Sequence, residues 1–361
     1  MRPLLFALAL LSLLASFAQG TAHILYLIGD AGEAGPDHSQ PVLDLLKQVS
    51  ATDSAQARTV IFLGDNIYEF GMHEKGHKDR AHDERNIDAQ IQLMRDFDGQ
   101  GWIIPGNHDW HQGRDHGIEY LRREEAYVEE ALGRDALEPD CGCPGPVELP
   151  LGDGAVLVVL DTQWWIHEFA KPQGASGGCS TATEEEVISA LENILARNKG
   201  RRMIVAGHHP CFTYGSHGGR FPLREHVFPL TAKWKWAYLP LPVVGSIYPL
   251  YRSLIGAKQD ERRGRYHDFA IRAQAVFAGY PGMVYAAGHE HALQYSVHDG
   301  VHHVGSGSGA KSTWIGHSRE LSYAAAERGF ARIIFAGDRR MRLEFFTLRN
   351  GPRPLRVFML N

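Results

Sequence analysis

Five short apolar runs end in glycine, and each is followed at once by a side chain that can bind a metal ion. The five runs are HILYLIGD (23–30), TVIFLGD (59–65), WIIPGN (102–107), MIVAGH (203–208) and MVYAAGH (283–289). Runs this rich in Val, Ile and Leu are typical of strands that are buried on both faces. Because ligands of α/β sheets bind beyond the carboxyl ends of the strands, the pattern predicts an α/β fold with the five loops converging on one site. The glycines allow close backbone approach there.

Helical periodicity between these runs predicts the remaining layers of the fold. We expect helices at 87–97, 123–132 and 183–198, the last opened by Thr183 and Glu186 in capping-box spacing.

A further apolar run, 155–165, predicts another core strand. Asp161 in that run lacks a preceding glycine, so we assign it a structural role. The C-terminal runs GFARIIFAG, MRLEFFTL and LRVFML alternate as antiparallel strands do, and we expect them to complete a second sheet.

The segment 212–265 is rich in aromatic residues and proline and has no clear period, so it is interpreted as an insertion. One interpretation is a partly ordered loop that packs over the core. The other is a lid or an apolar contact surface beside the site, including weak membrane or surface contact through 222–262.

Composition indicates a folded, exported protein. The 361 residues are 44% hydrophobic and 22% charged, which suffices for a large core, and the net charge of −5 argues against a nucleic-acid-binding surface. Residues 1–20 combine Arg2, an apolar stretch and small residues before Thr21, which is typical of a secretory signal peptide. We therefore expect residues 21–361 to form a single domain, secreted or periplasmic; an uncleaved anchor is the alternative. The oligomeric state stays open.

Four cysteines are too few for a disulfide scaffold, yet they can form one or two bridges in an oxidising compartment. We expect Cys141 or Cys143 to pair with Cys179 or Cys211, with free buried thiols as the alternative.

The strand-end residues are mixed oxygen and nitrogen donors, which suit two transition-metal ions better than calcium or a thiolate zinc site. The predicted ligands are Asp30, Asp65, Tyr68, Asn107, His208, His289 and His291. His289 and His291 lie two residues apart, so an extended backbone points both to one side.

The motifs GDAG (29–32), GDNIY (64–68), GNHD (106–109), VAGH (205–208) and GHEH (288–291) resemble, in order, the metal motifs of the purple acid phosphatases. The resemblance runs from about residue 23 to 310 and is greatest to the small, tartrate-resistant type within the calcineurin-like metallophosphoesterases. It implies a two-sheet αββα sandwich. It also implies hydrolysis of phosphate monoesters, with small phosphorylated compounds as substrates, by in-line attack of a metal-activated hydroxide. A phosphodiesterase or nucleotide pyrophosphatase, and a binder without turnover, are the alternatives.

The resemblance also implies how the ligands divide. Asp30, Asp65, Tyr68 and His291 would form the first site, and Asp65, Asn107, His208 and His289 the second, with Asp65 bridging. Ala31 and Gly32 follow Asp30 where most of the superfamily has Asp-x-His, and Tyr68 would replace that histidine. Because a phenol ionises near pH 10, a tyrosinate ligand favours Fe³⁺ in the first site. Fe²⁺, Zn²⁺ or Mn²⁺ would occupy the second.

Three further residues are predicted to act on the substrate. His108 is the expected proton donor, Asp109 is expected to orient it through a hydrogen bond that raises its pKa, and His217 of SHGG resembles a second substrate-side histidine. His209 stands where the mammalian-type members of the family usually have tyrosine, so the resemblance assigns no role to His209 and does not predict the shape of the pocket rim. The other loop histidines are interpreted as solvated, with ester contact as the minority alternative: His73, His77, His82, His111 and His116.

Overall fold

Two mixed β-sheets form the centre of the computed structural model, which describes residues 21–360 except 54, 56, 153, 233, 235 and 337–339. The predicted signal peptide lies outside the described residues. The strands are β1 Thr21–Ile28, β2 Ala57–Leu63, β3 Gln100–Ile104, β4 Val147–Pro150, β5 Ala155–Val159, β6 Arg202–Ala206, β7 Val284–Ala287, β8 Leu293–His298, β9 Val301–Ser306, β10 Leu321–Ala325, β11 Gly329–Ala336, β12 Met341–Thr347 and β13 Arg356–Leu360.

The two sheets place the ends of their parallel strands side by side. The first has the order β13-β12-β11-β1-β2-β3, and the second β10-β8-β9-β7-β6-β5-β4. Strands β1, β2 and β3 are parallel in the first sheet, as are β5, β6, β7 and β9 in the second. The five glycine-terminated runs thus divide between the sheets, three in the first and two in the second.

Helices cover the outer faces of both sheets, and two further helices, the sixth and seventh, lie in the insertion. The helices are α1 Pro41–Ala51, α2 Arg80–Asp96, α3 Gly117–Leu132, α4 Thr162–Ile166, α5 Glu184–Arg197, α6 Leu223–Val227, α7 Ile247–Leu254 and α8 Gly264–Phe277. In β1, Leu25 and Leu27 belong to the apolar cluster between the sheets, whereas Tyr26 and Ile28 belong to the cluster that includes the helices. Both strand faces are therefore buried, which explains the unbroken apolar runs.

The predicted α/β sandwich is confirmed, including the capped helix. Thr183 is the N-cap of α5, and its side chain accepts a hydrogen bond from the backbone N–H of Glu186. Asp161 is structural as expected, because it caps α4 and accepts a hydrogen bond from Trp110 Nε1 at 2.8 Å. Helix α2 begins seven residues earlier than predicted, because its first turns are polar and carry no apolar period. Helix α3 begins six residues earlier than predicted, at Gly117, and its first turns include Ile118 and Leu121.

The C-terminal strands are antiparallel, but their predicted sheet is wrong. β11 pairs with β1, with Ile24 opposite Ile334, so β11, β12 and β13 extend the first sheet. This pairing covers the edge of β1, a buried strand whose unpaired N–H and C=O groups would otherwise be exposed.

A disulfide joins Cys143 to Cys179, one of the predicted pairings, while Cys141 is exposed and Cys211 buried as free thiols. The insertion at 212–265 contains α6, α7 and several 3₁₀ turns. Within the described residues, none of the helices has the length and apolarity that crossing a bilayer requires.

Candidate metal centre

The loops after β1 and β2 turn two carboxylates toward the junction of the sheets. Asp30 and Asp65 both adopt the left-handed backbone conformation, with φ of 57° and 55°. Aspartate tolerates this region better than most residues. The backbone N–H of Asp30 donates to Gly64 O at 2.9 Å, which ties the two loops together.

Three of the predicted ligands converge around the phenol of a fourth, Tyr68. Its Oη lies 3.1 Å from Asp30 Oδ1, 3.1 Å from His291 Nε2 and 3.4 Å from Asp65 Oδ2. Tyr68 and both carboxylates are buried. A phenol has one proton and can donate it to only one of these atoms, so the remaining lone pairs face one another. Such a group of donors can hold a cation.

The other predicted ligands converge on His208. Its Nε2 lies 3.3 Å from Asp65 Oδ1, 3.2 Å from Asn107 Oδ1 and 3.2 Å from His289 Nδ1. Asp65 therefore presents one carboxylate oxygen to each donor group. The structure brings together all seven residues predicted as ligands.

Backbone carbonyls fix which nitrogens of the two histidines are available. Nδ1 of His208 is 2.7 Å from Leu63 O, and Nε2 of His289 is 2.8 Å from Gln259 O. A carbonyl accepts only, so each of these nitrogens carries the proton and donates it. The lone pairs of His208 Nε2 and His289 Nδ1 are thereby directed into the donor group, as is usual for metal-binding histidines.

The pKa shifts of these residues show a strongly anionic cluster. Burial, followed by the charges of Asp30 and Asp65, raises the pKa of Tyr68 well above 10. Burial lowers the pKa of His208, but the charge and hydrogen bond of Asp65, together with the charge of Asp30 and the hydrogen bond to Leu63 O, outweigh burial and raise the pKa to about 9. The pKa of Asp65 falls despite its burial because of the neighbouring His208 and His108.

Asp109 does not hydrogen-bond to His108, so that expectation is wrong. Its carboxylate accepts hydrogen bonds from the backbone N–H groups of Gly106 at 2.7 Å, Asn66 at 2.9 Å and Ile67 at 3.2 Å. The carboxylate is fully occupied in joining the loops after β2 and β3. Burial, followed by the charge of Asp65, raises the pKa of Asp109 to about 7.

His108 lies at the edge of the donor atoms, where it was expected. Its backbone N–H donates to Asp65 Oδ1 at 2.9 Å, and its ring Nδ1 donates to Glu69 O at 2.5 Å. The carbonyl of Glu69 thus takes the orienting role that the sequence had suggested for Asp109. Nε2 of His108 faces the centre, 3.8 Å from Asp65 Oδ2.

His217 lies against the second donor group. Its ring centroid is 4.0 Å from that of His289, and its Nδ1 is 3.0 Å from Gln259 O and 3.4 Å from Asp260 Oδ1. Burial lowers the pKa of His217, but Asp260 and Glu290 outweigh this effect and raise it.

His209 forms part of the pocket wall. It lies close enough to His208 and His289 to share a metal with them. However, its Nδ1 is 2.7 Å from Thr162 Oγ1 and its Nε2 is 3.0 Å from Gln259 Oε1, so both nitrogens already have partners. We therefore exclude it from the ligands. Of the remaining histidines expected in loops, His82 lies instead in helix α2. His82 and His116 are exposed, and His73, His77 and His111 are half-buried.

Sequence reasoning missed three residues of the site. Glu290 is buried and accepts hydrogen bonds from Thr213 Oγ1 at 2.6 Å and the backbone N–H of His217 at 3.2 Å. Its place between His289 and His291 was a signal that could have found it. Gln259 lies in the aperiodic insertion, and Lys311, whose Nζ is 3.7 Å from the centroid of the Tyr68 ring, follows no recognisable motif.

Comparison with known proteins places the fold but not the activity. No family model matches the chain, and neither does any curated protein sequence. Among solved structures, the purple acid phosphatase PPD1 of yellow lupin (Lupinus luteus) aligns with a TM-score of 0.57 at 14% identity, covering 94% of this chain and 54% of that one. PhoD aligns with a TM-score of 0.54 at 12% identity, covering 94% and 69%.

The chain has a metallophosphoesterase-type fold. A third similar structure is GAP50, described as the anchor in the inner membrane complex of Plasmodium, with a TM-score of 0.55 at 13% identity over 94% of this chain and 88% of that one. Because that description is of an anchor, a metallophosphoesterase-type fold does not by itself assign catalysis. The present chain spans about half the length of the lupin phosphatase. A proposal for the function of this chain must therefore rest on the arrangement of the donor atoms and not on the similarity of folds.

Proposed function

We propose that this protein is a phosphatase that hydrolyses phosphate monoesters at a binuclear metal centre. The observation that carries the proposal is the position of Asp65, whose two oxygens face different donor groups at 3.3 and 3.4 Å. A carboxylate in that position can bridge two cations. The first ion would be held by Asp30, Asp65, Tyr68 and His291, and the second by Asp65, Asn107, His208 and His289.

The donor chemistry supports Fe³⁺ in the first group. Burial and two carboxylates raise the pKa of Tyr68, so this phenol loses its proton only to a strongly acidic cation. Three hard oxygen donors and one imidazole suit ferric iron. The second group has two imidazoles, a carboxylate and an amide oxygen, a set that suits Fe²⁺, Zn²⁺ or Mn²⁺.

Two ions bound in this way would supply a water molecule of lowered pKa and would neutralise charge on the phosphate oxygens. The chain's own residues then have separate tasks. His108 directs Nε2 toward the centre and can give a proton to the departing alkoxide. His217, beside His289, can add positive charge where an anionic ester would bind. Lys311 lies over the Tyr68 ring but is already paired with Glu33 and Glu69. Asp109 holds the loops in place and is assigned no proton transfer.

Export from the cytoplasm forms part of the proposal. The disulfide between Cys143 and Cys179 supports it, because such bridges persist in oxidising compartments and are rare elsewhere.

The test compares two substrates with two variants. We expect the iron-loaded protein to hydrolyse p-nitrophenyl phosphate with a higher kcat/KM than bis(p-nitrophenyl) phosphate, and Asp65→Asn to lose at least a hundredfold in kcat/KM. Asp299→Asn is the matched control, because Asp299 also has a left-handed backbone, with φ of 50°, but is exposed in the turn between β8 and β9. Faster cleavage of the diester would instead assign a phosphodiesterase. Absence of turnover with two ions bound would indicate a binder.

A further inference from the structure

The insertion carries an unusually apolar surface. Of the nineteen large apolar side chains that are exposed among the described residues, thirteen lie between 223 and 255. We call this stretch, residues 223–255, the insertion patch. In helix α7 only Pro249 is buried, so Ile247 and Leu254 stand in solvent at 63% and 78% exposure. Exposed apolar side chains concentrated in this way indicate an interaction site.

The composition of the insertion patch fits the interface of a membrane. Its exposed aromatic residues are Trp234, Trp236, Tyr238, Tyr248 and Tyr251. Tryptophan and tyrosine concentrate at the headgroup level of bilayers, where one end of the side chain is apolar and the other is hydrated. Leucine, isoleucine and valine side chains beside them would enter the acyl boundary.

The charge of the insertion patch favours an anionic surface. Residues 223–255 contain four Lys and Arg and one Glu. Because Arg252 is paired with Asp260, the remaining charges of the stretch sum to +2, in a chain whose net charge is −5. A second copy of this chain would bring two positive patches together, which is unfavourable. Anionic lipid headgroups attract cationic residues by about 1 kcal/mol each.

The insertion patch is also joined to the candidate metal centre. Arg252 of α7 forms an ion pair with Asp260, which lies 3.4 Å from His217, and Ser253 Oγ donates a hydrogen bond to Gly219 O. The base of the insertion is therefore anchored to the loop that carries His217. Its apolar face remains exposed.

We propose that the insertion patch docks this protein onto the surface of an anionic phospholipid bilayer without crossing it. The docking positions the opening of the metal centre beside the membrane. Docking does not require catalysis, so the docking proposal can be tested independently of the proposed function.

Vesicle flotation of the chain from Thr21 to Asn361, loaded with metal, tests the proposal. We expect it to float with vesicles of 70% phosphatidylcholine and 30% phosphatidylglycerol, and to partition at least tenfold less well into pure phosphatidylcholine. Saturating inorganic phosphate should leave flotation unchanged, because phosphate competes at the metal centre and not at the patch. Failure to float with anionic vesicles, or loss of flotation in phosphate, would overturn the proposal, as would equal partitioning into both vesicles.

Substitution locates the contact. Ile247→Ser with Leu254→Ser should lower partitioning at least tenfold, since each removes an apolar side chain from the contact. Val357→Ser with Met359→Ser is the matched control on the edge strand β13, where both side chains are exposed. Equal partitioning of the two double variants would overturn the proposal. So would a change of the patch variant from dimer to monomer in sedimentation without lipid, because a second copy would then cover the patch.

Fluorescence provides a measurement that needs no folded double variant. Brominated lipids in anionic vesicles should quench tryptophan emission of the unsubstituted protein, and Trp236→Phe should reduce that quenching, since Trp236 is 79% exposed. Absence of quenching would refute insertion at the headgroup level.

Discussion

The glycine before His289 should be essential to the metal centre, and Gly288→Ala tests this. A Cβ built at Gly288 would lie 2.6 Å from Asp30 Oδ2, 2.9 Å from Leu63 O and 3.3 Å from His208 Nδ1. Asp30 belongs to the first donor group, and the carbonyl of Leu63 orients His208 in the second. One added methyl group therefore disturbs both.

The size of the disturbance follows from these distances. Ordinary contact with a Cβ begins at 3.4 Å, so Asp30 Oδ2 must move by about 0.8 Å. Metal–ligand distances tolerate only about 0.2 Å, and a misplacement near 1 Å can cost about a hundredfold in rate. Overpacking of this kind also destabilises the fold by about 1–3 kcal/mol.

The assay measures bound metal and kcat/KM for p-nitrophenyl phosphate in the same samples. We expect Gly288→Ala to bind one ion or fewer and to lose at least about a hundredfold in kcat/KM. Gly279→Ala is the control, because its Cβ would meet only Val276 O, at 3.4 Å. Full metal content and unchanged kcat/KM in Gly288→Ala would refute the close approach of the strand-end loops.

Three further predictions concern individual side chains. Tyr68→Phe should abolish any visible tyrosinate-to-iron absorption and reduce kcat/KM less than Asp65→Asn does, because only Asp65 faces both donor groups; optical spectra and kinetics measure this. His108→Gln should lower kcat for alkyl phosphates by about 10²- to 10⁴-fold and for p-nitrophenyl phosphate much less, since nitrophenolate departs without a proton. Burial lowers the pKa of His303 to about 3, so its neutral form stabilises the fold above pH 6.5 and this stability is lost as the pH falls. Relative to wild type, His303→Phe should therefore gain about 2 kcal/mol in unfolding free energy between pH 7.5 and 5, measured by urea denaturation.

Each of these predictions has a contrary result. A colourless wild-type protein with full iron occupancy would exclude a tyrosinate ligand. Equal losses on alkyl and aryl phosphates in His108→Gln would remove the proton-donor role. Parallel pH profiles for wild type and His303→Phe would show that His303 titrates alike in the folded and unfolded chain.

The ligands could be predicted from sequence because of how sheets are built. Asp30, Asp65, Asn107, His208 and His289 each follow a buried strand and a glycine, and the ends of parallel strands meet at one edge. Local pattern alone therefore located residues that are far apart in the chain. The types of side chain also predicted the kind of metal site, since a mixture of carboxylates and imidazoles excludes a thiolate zinc site.

The residues that support these ligands were less accessible to sequence reasoning. Gln259 and Asp260 lie in an aperiodic segment, so no period indicated that they face His289 and His217. Asp109 was misassigned because sequence adjacency to His108 suggested a hydrogen bond, whereas neighbouring residues in a tight turn point in different directions. The C-terminal strands were assigned to the wrong sheet because alternation predicts a strand but not its partner.

Metal analysis of the purified chain, after reconstitution with iron, tests most directly whether Asp65 joins two ions. Wild type should bind two ions per chain, and Asp65→Asn should bind fewer than one, because the substitution removes a negative charge that both donor groups share. Two ions retained in Asp65→Asn, or one or none in wild type, would contradict the account.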